Sequence, residues 1–87
     1  MPTVFIPALL RPRIGVARVE VEGATVGELL TALGARYPGV YELLVEDDDI
    51  KPGIAITVND QLTQEGLFEP VPDDAEVHIL PALSGGC

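Results

Sequence analysis

One well-delimited helix signal constrains this chain more than any other feature. Thr25 is a good N-cap residue, and Glu28 three positions later completes a capping box. Val26, Leu29, Leu30, Leu33 and Tyr37 follow at helical spacing and form one apolar stripe, until Pro38-Gly39 stops the helix. The stripe on Val26–Tyr37 needs an apolar surface to lie on, and most of the remaining chain reads as strands. Two N-terminal strands, a crossing helix and later strands predict a mixed sheet gripping one helix. That is an α+β two-layer domain.

Thr3 to Ile6 reads as a strand, β-branched and aromatic, with Pro7 at its edge. Leu10-Arg11-Pro12-Arg13 is expected to be a turn or loop. Ala17-Arg18-Val19-Glu20-Val21 alternates apolar and charged residues, the mark of a strand with one wet face. Glu22-Gly23-Ala24 then turns the chain. Val40 to Val45 is a short further turn or an extended piece beneath the helix. Ile54-Ala55-Ile56-Thr57-Val58 is a strand, Asn59-Asp60 a turn pair, and Leu62 the candidate start of another short strand. Gly66, Pro70 and Pro72-Asp73-Asp74 mark a loop. Ala75 to Pro81 is the last strand, central in its apolar half, with Pro81 ending sheet pairing. Phe5, Val19, Leu29, Leu33, Ile56 and Ile79 are the expected core. Leu67 and Phe68, beside Gly66, are expected to cover the core edge rather than to form a docking patch.

At 87 residues the chain is one domain. A chain this short buries only about 60–65% of its unfolded surface, which leaves little interior for a deep active site. That favours a binding or carrier module over a free-standing enzyme. A net charge of −9 repels phosphate backbones, so nucleic acid is not an expected partner, whereas a basic docking face would suit it. Apolar runs fall well short of the ~20 residues of a membrane span, and Met1-Pro2-Thr3 lacks a signal-peptide start, so a cytoplasmic protein with no membrane partner is expected. One cysteine excludes an internal disulfide, and His78, the one histidine, has no second soft ligand near it in sequence. His78 is read as a sheet side chain. Glu46-Asp47-Asp48-Asp49 lacks the ligand spacing of a calcium loop and reads as a solvated loop. No glycine-rich phosphate cradle, His/Cys pair or convincing carboxylate dyad is present, and no metal site.

The chain therefore divides into a body, residues 1–81, and a tail, residues 82–87, where Ala82-Leu83-Ser84-Gly85-Gly86-Cys87 loses all pattern. The tail and the strand before it resemble those of the ubiquitin-like sulfur carriers of the MoaD/ThiS type. That family includes the small subunit of molybdopterin synthase and the thiamine and cysteine-biosynthesis carriers. Further blocks are similar to the last of these: Ile6-Pro7, Leu10-Arg11-Pro12, Ala24-Thr25-Val26-Gly27-Glu28, Arg36-Tyr37-Pro38-Gly39, Val58-Asn59-Asp60 and Val77-His78-Ile79-Leu80-Pro81. The resemblance spans nearly the whole chain in order. It implies the β-grasp fold, a flexible C-terminal tail, no cofactor of the chain's own, and a carrier rather than an enzyme.

In such carriers the terminal glycine carboxylate is adenylated by an ATP-dependent E1-like activating enzyme. A sulfur donor then displaces AMP and leaves a thiocarboxylate. The resemblance makes Gly86 the point of sulfur attachment and gives Gly85 and Ser84 the task of access. Five extended residues, Ala82 to Gly86, reach roughly 16 Å at about 3.3 Å each, and glycines without a Cβ can thread a narrow tunnel. Cys87 departs from the family pattern, in which the mature chain ends at the second glycine. It admits three readings. It is a removable cap; or it copies the carrier–cysteine amide formed on a cysteine synthase-like enzyme; or it is an incidental exposed thiol. The first two share one cleavage, by a JAMM-type zinc metalloprotease. The rival functions are a molybdopterin synthase or thiamine carrier, and a protein modifier joined through Gly86 to target lysines.

Overall fold

The computed structural model describes residues 1–81. Seven strands and three helices follow one another as β1 (Thr3–Phe5), α1 (Arg11–Ile14), β2 (Arg18–Glu20), α2 (Val26–Arg36), α3 (Val40–Leu44), β3 (Val45–Glu46), β4 (Asp49–Ile50), β5 (Ile54–Val58), β6 (Gln61–Leu62) and β7 (Glu76–Pro81). Short 3-10 turns cover Ala8–Leu10 and Gly66–Phe68. Five strands form a mixed sheet in the order β2-β1-β7-β5-β6, with β7 in the middle. β7 runs parallel to β1 and antiparallel to β5, while β1 with β2 and β5 with β6 are antiparallel neighbours. One sheet face carries α2, giving the two-layer α+β body that the helix signal requires.

The capping box forms with a shift of one partner. The Glu28 amide donates to the Thr25 hydroxyl at 3.2 Å, while the Glu28 carboxylate accepts from the Ala24 amide at 2.7 Å, one residue before the cap. Val26, Leu29, Leu30 and Leu33 are all fully buried, so the whole stripe faces the sheet. Val4, Val19, Ile56, Val77 and Ile79 meet it from β1, β2, β5 and β7. No polar or charged residue is buried among the described residues. α3 packs beneath α2, and Gly34 makes this possible: a Cβ there would lie 2.6 Å from the Tyr41 Cβ.

Five expectations are corrected. Leu10-Arg11-Pro12-Arg13 is mostly helical. Pro12 occupies the first turn, where its missing N–H costs nothing, and Gly15 at φ +86° closes α1 by donating to the Arg11 carbonyl at 2.7 Å. The acidic run is a small hairpin rather than a loop: Val45 pairs with Ile50, Glu46 with Asp49, and Asp47-Asp48 form the two-residue turn with φ of 54° and 61°. Phe5 is not core. Val4 takes that place, and Phe5 lies half-buried on the opposite face. Leu67 does pack on the core, but Phe68 beside it is 79% exposed. Val40–Leu44, expected as a turn or an extended piece, is the helix α3, and several other expectations hold. β5 spans the five residues expected of it, and Asn59-Asp60 turn at φ of 50° and 68° into β6; Pro81 pairs with Ile54, and whether pairing ends there lies outside the described residues.

Candidate functional site

Strand alternation gives the sheet a second, uncovered face. On β7, Val77 and Ile79 point into the core, so Glu76, His78 and Leu80 point out. Register then lines up one row across the sheet. Arg18 on β2 pairs with Phe5, Phe5 with His78, His78 with Thr57, and Thr57 with Leu62 on β6. The Phe5 and His78 rings stack, centroids 4.4 Å apart and planes 4° from parallel. Glu76 Oε1 lies 4.0 Å from His78 Nε2. Leu62 is 62% and Leu80 42% exposed, so the row is flanked by apolar groups open to solvent. A shallow hollow of about 260 Å³ lies beside the Phe5–His78 pair, at the end of the sheet toward which β7 runs, lined by Phe5, Pro7, Arg11, His78 and Leu80.

That end is where the tail departs. Pro81 is the last described residue, and it continues the central strand. The expected site residues Ser84, Gly85, Gly86 and Cys87 lie outside the described residues. His78 is a sheet side chain, as expected, and no group of three or more His, Cys, Asp or Glu that could hold a metal ion occurs among the described residues. No described helix is long and apolar enough to cross a membrane. The mixed row is hidden in the sequence because Val4-Phe5-Ile6 is apolar throughout, which leaves the facing of Phe5 open. The alternation Glu76-His78-Leu80 against Val77-Ile79 was the available signal.

A five-stranded mixed sheet gripping a helix, with a central final strand that ends in a Gly-Gly tail, defines a ubiquitin-like β-grasp carrier. Residues 4–86 match the ThiS family model, and the chain belongs to that ubiquitin-like sulfur-carrier family. It is 38% identical to the sulfur carrier protein CysO of Mycobacterium tuberculosis over 97% of both chains. It is 31% identical to small archaeal modifier protein 3 of Haloferax volcanii, over 75% of this chain and 73% of that one. Among solved structures, a chain of the Amycolatopsis orientalis BexX/CysO complex superposes with a TM-score of 0.91. It is 36% identical, over 99% of this chain and all of that one (100%). The fold is thus the β-grasp, as the resemblance implied.

Proposed function

We propose that this chain carries sulfur as a thiocarboxylate on Gly86, exposed once Cys87 is cut away, and donates it to cysteine or another sulfur metabolite. The observation that supports this most is the family match, which runs through the body and on to Gly86. The chemistry suits a body without catalytic groups. The Gly86 carboxylate attacks the α-phosphate of ATP on an E1-like activating enzyme, pyrophosphate leaves, and an acyl-adenylate forms. A sulfide donor attacks the acyl carbon and AMP leaves. The carrier is then a co-substrate. On a cysteine synthase-like enzyme its sulfur replaces the activated oxygen group at the Cβ of a serine derivative, which leaves as its anion, an S-to-N acyl shift of the resulting thioester gives a carrier–cysteine amide, and a JAMM-type zinc metalloprotease hydrolyses it. The same protease opens the Gly86–Cys87 bond at the start. Residues 82–87 serve as a flexible tail, Gly85 and Ser84 giving access to the tunnel. The chain needs no cofactor of its own, and the reactions belong in the cytoplasm.

Intact mass spectrometry tests the reading. Protein from the native host should lose Cys87. With the activating enzyme, ATP and sulfide it should then gain one oxygen-to-sulfur exchange, and a chain lacking Gly86 should gain nothing. Persistence of Cys87 while sulfur transfer proceeds would overturn the capped-proform step.

The likeness to an archaeal modifier protein favours a second reading, conjugation through Gly86 to target lysines. Higher-mass conjugates that vanish on deletion of Gly86 would support it. A stable complex with a large synthase subunit would instead point to molybdopterin synthesis, and charging by a thiamine-pathway enzyme to a thiamine carrier.

A further inference from the structure

The few cations of this body are unevenly placed. The chain has 14 acidic and 5 basic residues, yet three of the five cations meet at the end where β7 runs out. Arg11 borders the hollow beside Leu80. Arg13 and Lys51 border a second, deeper hollow of about 460 Å³, walled by Leu9, Leu43 and Ile54, and Ile54 is the residue paired with Pro81. None of these three cations forms an ion pair among the described residues. Leu9, at the same hollow, is 67% exposed. The opposite end of the sheet is acidic: Glu20 and Glu76 flank Thr3 in register, and Asp60, Asp73 and Asp74 lie in the turns nearby.

We propose that Arg11, Arg13 and Lys51 form a basic collar around the tail exit that docks on an acidic lip of the activating enzyme, with one apolar side chain of that lip seated in the hollow beside Leu9. The inference rests on the carrier reading and names the chemistry of its first partner. Its ground is charge complementarity. A body of net charge −9 meets an acidic surface with least repulsion through this end. Three uncompensated cations at the collar, with carboxylates at the far end, turn the molecule so that its tail arrives first. Such steering raises the encounter rate and fixes orientation more than it adds contact energy. The apolar hollow then supplies the seat, and salt does not weaken it.

Titration calorimetry of the full chain against the adenylating enzyme of the same organism tests this. In 50 mM salt, Arg13→Gln/Lys51→Gln should weaken binding about tenfold, and the loss should shrink at 1 M salt, where the Debye length is about 3 Å. Gln61→Glu/Gln64→Glu makes the same change in net charge away from the collar and should leave affinity within about twofold. Leu9→Ser should weaken binding at both salt concentrations. Circular dichroism checks that each variant folds. Equal losses in the two double variants, no loss in either, or failure of the unaltered chain to bind each overturn the collar. Thiocarboxylate formation, read separately by mass, reports on the carrier reading. Collar-dependent binding without sulfur loading would sink that reading and leave the docking surface standing.

Discussion

The two faces of the sheet are built from the same strands and behave as different materials. On the inner face Val4, Val19, Ile56, Val77 and Ile79 are sealed beneath α2. On the outer face their immediate neighbours Phe5, Arg18, Thr57, His78 and Leu80 form a mixed surface that nothing in the described chain covers. One residue of offset along each strand separates structural work from surface chemistry. The inner face cannot accept a polar atom without losing stability, since it contains none. The outer face can change composition at small cost to the fold, which leaves it free to match partners.

That contrast can be broken in graded steps. The largest effect is expected from Leu30→Ala or Ile56→Ala. Each opens a cavity in a fully buried site and should cost about 2–5 kcal/mol in denaturant melts. Next comes Gly34→Ala. The added methyl meets the Tyr41 Cβ at 2.6 Å, and the overpacking should cost about 1–3 kcal/mol although alanine is the better helix former. Thr25→Ala removes the side-chain acceptor of the Glu28 amide and should cost about 1 kcal/mol, read as a lower thermal midpoint. Leu62→Ser sharpens the comparison from the other side. Because Leu62 is 62% exposed, its stability change should stay within about 0.5 kcal/mol. A loss as large as that of Ile56→Ala would mean that the outer face is not free.

Much of this contrast was legible in the residues. The stripe Val26-Leu29-Leu30-Leu33, its capping box and the Pro38-Gly39 stop located α2 to within a residue. The even alternation of Ala75 to Pro81 located β7 and its inward residues. Phe5 was misplaced because Val4-Phe5-Ile6 is apolar throughout. Without alternation nothing local sets the facing of the strand, and a slip of one residue moves every side chain to the other face. Pairing with β7 decides it, and that contact spans the length of the chain. Arg11–Ile14 was hidden by its brevity: a four-residue helix has almost no periodicity to read. In the hairpin around Asp47-Asp48, the strands are two residues each, and their pairing shows only in three dimensions. Leu67 and Phe68 were indistinguishable as neighbours, but the tight turn of Gly66–Phe68 sends one inward and one outward. The tail motif was the reverse case, plain in the sequence and outside the described residues.

The position of β7 has a mechanical corollary. Its backbone is stitched to β1 over Glu76–His78 and to β5 over Val77–Pro81. A pull on Pro81 loads the β5 ladder first and in shear, so its hydrogen bonds share the strain instead of peeling one by one. Opening the body from this end therefore requires breaking that ladder as a unit, and the β1 pairing behind it.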